Sequence, residues 1–146
     1  MTRHSSILEV TDYRLDPLRE VRRLDERTKQ GELADASNDE RATAAVLAAA
    51  TARCEQIAAQ IQATPRAAAT ANELAVIERF LARRRAELDA ARVDLARARA
   101  AHERRTEVVD AARVRLVHAR AQKEVIERHF SRWRDTQRKV LERKEE

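Results

Sequence analysis

Turn-forming residues are nearly absent: the 146-residue chain holds one glycine, two prolines and one cysteine. Ordinary chains carry roughly 7% glycine and 5% proline, so composition excludes sheets joined by tight turns, Rossmann-type crossovers and disulfide scaffolds. Aromatic residues make up 3% of the sequence, too little bulk for a thick globular core. A membrane span needs about 20 apolar residues, and the longest nearly apolar run, Ala42 to Ala52, is short and rich in alanine and threonine. The first residues do not read as a signal peptide. Cys54 has no internal partner, which fits a reducing compartment. The expectation is a cytoplasmic chain without direct membrane insertion.

What fills the sequence is alanine, at 29 positions, and charge, at 38% of residues. Alanine, leucine and charged helix formers in this proportion are the mark of long helices or a coiled coil. Residues 1–70 carry 10 basic and 11 acidic side chains, and residues 71–146 carry 20 and 14, so the second half is basic. Opposite charges are interspersed throughout, the pattern of a solvated helix face. Arginine outnumbers lysine 26 to 4, which suits phosphate contact and suits a biased codon usage equally.

Both prolines stand where a helix can start. In Asp16-Pro17 the carboxylate can cap while proline takes the first helical position, and Thr64-Pro65 repeats the arrangement. Gly31 and a capping box in Ser37-Asn38-Asp39-Glu40 are the weak points between them. The spacing predicts a first helix over about 17–62, a turn at about 63–66 and a second helix over about 66–144. Steps of three and four from Leu74 through Leu81, Leu88, Leu95, Val109, Leu116, Ile126, Phe130 and Trp133 to Val140 meet 15 apolar residues in 20 positions. Such an unbroken 3.5-residue repeat specifies a left-handed coiled coil. The first helix carries a matching seam of Leu33, Ala36, Glu40, Thr43, Leu47, Ala50, Cys54, Ile57 and Ile61. Leu18 and Val21 fall out of that register, which predicts a phase shift near Gly31. Two seams joined by a short turn fold back on each other. The expected fold is therefore all-α: one antiparallel coiled-coil hairpin whose second helix is longer.

Helix lengths at 1.5 Å per residue, roughly 70 and 115 Å, do not match. A turn near residue 64 sets Pro17 opposite about residues 113–118. Residues 120–144 then outrun the first helix, although they hold Ile126, Phe130, Trp133 and Val140. Burying each such side chain contributes about 1.5–3 kcal/mol. The overhang therefore calls for an external partner, unless Ile7, Leu8, Val10, Tyr13 and Leu15 cover it.

Nothing in the sequence supports catalysis or a cofactor. No phosphate-cradling glycine loop, HExxH, CxxC or EF-hand pattern occurs, and His4, His102, His118 and His129 lack metal-ligand spacing. His102 reads as a polar interruption of the seam and Cys54 as a small core residue. Arg84, Arg105 and Lys123 also break the seam, as register-fixing residues do. Asp25–Lys29, Glu124–Arg128 and Asp135–Lys139 read as helix-supporting pairs.

Three stretches resemble the FliJ/YscO (SctO) family of type III secretion and flagellar export. Tyr13-Arg14-Leu15-Asp16-Pro17-Leu18-Arg19-Glu20-Val21-Arg22 resembles the family's opening. Glu73 through Ile77, Phe80, Leu81 and Arg84 to Leu88 resembles the start of its second helix. Glu127-Arg128-His129-Phe130-Ser131-Arg132-Trp133-Arg134, with Gln137-Arg138-Lys139 and the closing Glu142-Arg143-Lys144-Glu145-Glu146, resembles its tail. The resemblance implies a non-enzymatic coiled-coil stalk at the cytoplasmic face of a secretion apparatus. Its terminal end would enter the hexameric export ATPase, through Leu15, Leu18, Val21, Arg22, Phe130, Trp133, Arg134 and Arg138. Phe80 would contact the export gate, a membrane protein of the FlhA/SctV type, and export chaperones are further partners. Two alternatives stand beside it. One is a structural scaffold hairpin, self-associating through its leftover stripe; the other is a nucleic-acid-binding coiled coil driven by the basic half.

Overall fold

The computed structural model describes residues 12–146. They form two helices, α1 (Asp16–Ala63) and α2 (Ala71–Glu145), with no strand among the described residues. The fold is the all-α helical hairpin, with the second helix the longer. Contacts divide it into a terminal half, in which the described residues up to Asp35 pack on Asp110–Glu146, and a bend half, Ala36–Val109.

The connection differs from the sequence expectation. It spans residues 64–70, and α2 begins at Ala71 rather than near residue 66. Proline disfavours helical geometry at the residue before it, so α1 ends at Ala63, with the Thr64 hydroxyl donating back to the Gln60 carbonyl at 2.8 Å. Pro65 lies in the connection and starts nothing. The start signal is Thr70-Ala71-Asn72-Glu73. The Glu73 N–H donates to Thr70 Oγ1 at 3.1 Å, and Glu73 Oε2 accepts from the Ala69 N–H at 2.9 Å, a variant of the reciprocal capping box.

The pairing differs as well, because α2 starts late and its first turns, up to about residue 81, run past the end of α1 at Ala63. In the bend half, Thr43 meets His102 and Asp39 meets Arg105, so facing residues have numbers adding to about 145 instead of 130–135. The same rule sets Ala36 opposite Val109 and Ile57 opposite Leu88, all buried or half-buried. The seam of α2 is the one the heptads marked: Leu81, Ala91, Ala98 and Val109 are buried here. His102, an interruption in the sequence, shares a 3.2 Å hydrogen bond with the Thr43 hydroxyl. A paired polar layer inside an apolar seam fixes register. Cys54 is half-buried in the α1 seam.

The terminal half keeps the same pairing: Arg22 meets Gln122, Glu26 meets Arg120 and Lys123, and Arg19 meets Glu127. No phase shift occurs at Gly31, and the helix runs unbroken through both it and Ser37–Glu40. Counting back from Leu33 by fours and threes, the seam continues as Lys29, Glu26, Arg22 and Arg19, all half-buried. The apolar Leu18, Val21 and Leu24 face solvent. Opposite the charged α1 seam lie Ala112, Leu116, Ala119 and Ile126 of α2, all buried. Long charged side chains can lay their methylene stems on such a surface while their heads reach a partner at the rim. Of the expected intrahelical pairs, only Glu124–Arg128 is present; Lys29 pairs with Glu32 and Asp135 with Arg138.

Candidate functional site

Pro17, placed opposite residues 113–118 by the shorter register, lies opposite about residue 128. Ile126 is therefore covered, at 6% exposure, and the overhang is shorter than the sequence suggested. It begins where α1 begins, because Asp16 faces about residue 129 and the rest of α2 has no α1 beside it.

At this boundary the chain builds an aromatic cluster. A tight turn, closed by the Asp16 N–H donating to the Tyr13 carbonyl at 3.0 Å, delivers Tyr13 onto α2 just ahead of Pro17. The Tyr13 ring lies 5.1 Å from both Phe130 and Trp133, and those two stack at 5.8 Å. The Tyr13 hydroxyl and His129 Nδ1 share a 2.5 Å hydrogen bond. Tyr13 is buried at 8% exposure, whereas Phe130 and Trp133 stay half-buried. Tyr13 thus covers part of the stripe, as its place among the covering candidates anticipated. Ile7, Leu8 and Val10 lie outside the described residues.

Arginines frame the cluster. The Arg19 guanidinium sits 3.7 Å from the Phe130 ring centre and that of Arg134 at 5.8 Å, within cation–π range. Glu127 anchors the first of them, accepting from Arg19 Nε at 3.0 Å and from Arg23 Nε at 2.8 Å. Burial pushes the Glu127 carboxyl up, but the Arg23 and Arg19 hydrogen bonds outweigh it and hold the group below its ordinary value. A hydrogen bond from Lys123 holds Glu26 low in the same way, against an opposing push from burial. Past the cluster α2 continues with Arg134, Arg138, Lys139, Arg143 and Lys144 around exposed Val140 and Leu141.

Of the residues singled out from the sequence, Phe130, Trp133 and Arg134 come together here. Leu15 and Leu18 lie near the α1 start, exposed at 38% and 39%, and Val21 is exposed one turn on. Arg22 is turned into the seam, donating to Gln122 Oε1 at 2.8 Å, and Arg138 pairs with Asp135 at 3.4 Å. Phe80 belongs to the bend half, half-buried with the Arg84 guanidinium 5.5 Å from its ring centre. The reading missed Arg19, Glu127 and His129. Heptad counting through polar residues, rather than stopping at the apolar ones, would have found Arg19.

No protein-family model, curated protein or solved structure matches the chain. Among the described residues, no helix is long and apolar enough to cross a membrane.

Proposed function

We propose that this chain is the non-enzymatic central stalk of a type III secretion or flagellar export ATPase complex. The observation that carries the reading is the terminal tip. Half-buried Phe130 and Trp133 stand between Arg19 and Arg134 where α2 outruns α1 and turns basic. Aromatic and arginine side chains are the usual anchors of a protein interface, and a helix end ringed by guanidinium groups fits an acidic socket. The two-helix hairpin supports the reading, as do the three stretches that resemble the FliJ/YscO family. In it the tip, with Leu15, Leu18, Val21 and Arg138, enters the hexameric ATPase from the cytoplasmic side. Phe80 meets the export gate, and export chaperones are further partners.

The test is ATP hydrolysis by the cognate hexamer. The chain raises the rate without hydrolysing ATP itself. Phe130→Ala with Trp133→Ala removes that stimulation while circular dichroism stays within a few per cent of the parent. Full stimulation by the double variant contradicts the docking tip. A plain scaffold hairpin is the second reading, favoured by Tyr13, which seals part of the aromatic stripe from within the chain.

A further inference from the structure

On the terminal half of α2, the side away from the seam carries a second, mostly apolar line, with His118, which shares a 3.0 Å hydrogen bond with Gln122, at its middle. Ala111, Val114, His118, Ala121 and Val125 follow one another at steps of three and four, so they share one face. That face lies roughly 150° around the helix from the seam residues Leu116 and Ala119 at 100° per residue. Val117 flanks it. Val114, Val117 and Val125 are exposed at 69%, 65% and 67%, which makes them, with Leu24, the most exposed large apolar residues among those described. Beside the line, on Val117's flank, stand Asp110, Arg113, Glu124 and Arg128.

We propose that this face is the contact of a weak homodimer in which two copies of α2 lie antiparallel about a two-fold axis at His118. The charge order selects a second copy as occupant. Antiparallel helices bring like flanks together. About this axis Asp110 meets Arg128 of the second copy, Arg113 meets its Glu124, and symmetry repeats both pairs. A parallel arrangement sets each flank against the opposite flank of the second copy, so none of these four residues meets a charge of the set and the pairing is lost. Among the described residues of one copy these groups pair locally, Arg113–Asp110 at 3.5 Å and Arg128–Glu124 at 3.7 Å, on largely exposed side chains. Such exposed pairs contribute little, so exchanging them for partners on the second copy costs little. The stripe spans four turns, about 20 Å of helix, and buries less than the roughly 800 Å² per partner of a standard interface. The dimer is therefore weak and concentration-dependent. The proposal rests on none of the argument for the stalk.

The experiment is sedimentation velocity of the full chain over a roughly hundredfold concentration range, where mass action reveals the dimer. Val114→Asp places a charge within the stripe, one turn from the axis, and weakens association about tenfold or more, with helicity unchanged. Asp110→Arg and Arg128→Asp each oppose like charges at both ends and each weaken it about tenfold, and together they restore it to within about threefold. A chain that stays monomeric throughout overturns the proposal. So does a dimer indifferent to Val114→Asp, or a charge exchange that fails to rescue.

Discussion

The two halves of the hairpin follow one register with different chemistry. In the bend half the α1 seam is largely apolar, from Ala36 through Leu47, Ala50 and Cys54 to Ile57 and Ile61, interrupted by Glu40 beside the Asp39–Arg105 pair and by Thr43 with His102. In the terminal half the same positions are Arg19, Arg22, Glu26 and Lys29; Glu127, Gln122 and the pair Arg120 and Lys123 hold the first three from across, and Lys29 pairs with Glu32 along its own helix. Two carboxylates, Glu26 and Glu127, each receive two basic side chains from across or along the hairpin. Heptad spacing decides which residues face the partner helix, and side-chain type decides only how they are satisfied there. An apolar residue one position off the seam, such as Leu18, stays outside.

The sharpest way to break this comparison is to truncate apolar residues of equal size from the two faces. Leu116→Ala, in the buried α2 seam, costs about 2–4 kcal/mol. Leu24→Ala on α1, exposed at 63%, changes stability by less than about 0.5 kcal/mol. Chemical denaturation measures both, and a large loss at Leu24 restores the phase-shifted seam. Next in size is Glu127→Ala, which strands Arg19 and Arg23 together and costs about 1–2 kcal/mol. It also frees Arg19 from Phe130, so Trp133 fluorescence shifts to the red.

Acid sharpens the comparison without a mutation. Glu26 and Glu127 titrate below their ordinary value in the folded chain, so the unfolded chain takes up their protons first as pH falls. The stability they give is full above the ordinary carboxylate value of 4.5 and is lost as pH falls below it through the folded values. Amide exchange at low pH therefore opens the terminal half while the seam from Leu47 to Ile61 stays protected. Equal opening of both halves contradicts the division. The smallest effect is at Gly31, where an added Cβ meets nothing within 4 Å. Gly31→Ala stabilises the helix by about 0.5–1 kcal/mol, read as a raised midpoint.

The hairpin itself was legible because the α2 repeat from Leu74 to Val140 never slips register. Its eight buried positions from Leu81 to Ile126 all lie on the line the heptads drew. The connection was misread because Thr64-Pro65 and Thr70–Glu73 both carry helix-start chemistry. Only the second supplies an acceptor for the Ala69 N–H. α2 starts about five residues late and its first turns, up to about residue 81, run past the end of α1 at Ala63; together these moved the register and shortened the overhang. The α1 seam before Leu33 was misread because its residues are charged, and a search for apolar periodicity drifts to Leu18 and Val21. Phe130 and Trp133 stood out from the sequence, but their cover did not. Tyr13 reaches them through a turn that no helical period marks.

Cysteine cross-linking in a Cys54→Ser background tests the register most directly. Arg22→Cys paired with Lys123→Cys replaces two like charges that the observed register sets face to face. That pair oxidises rapidly to an internal disulfide. Arg22→Cys paired with Ala112→Cys, the partner demanded by a turn near residue 64, stays reduced. Rapid closure of the second pair and not the first would contradict the account, and with it the placement of Tyr13 over Trp133.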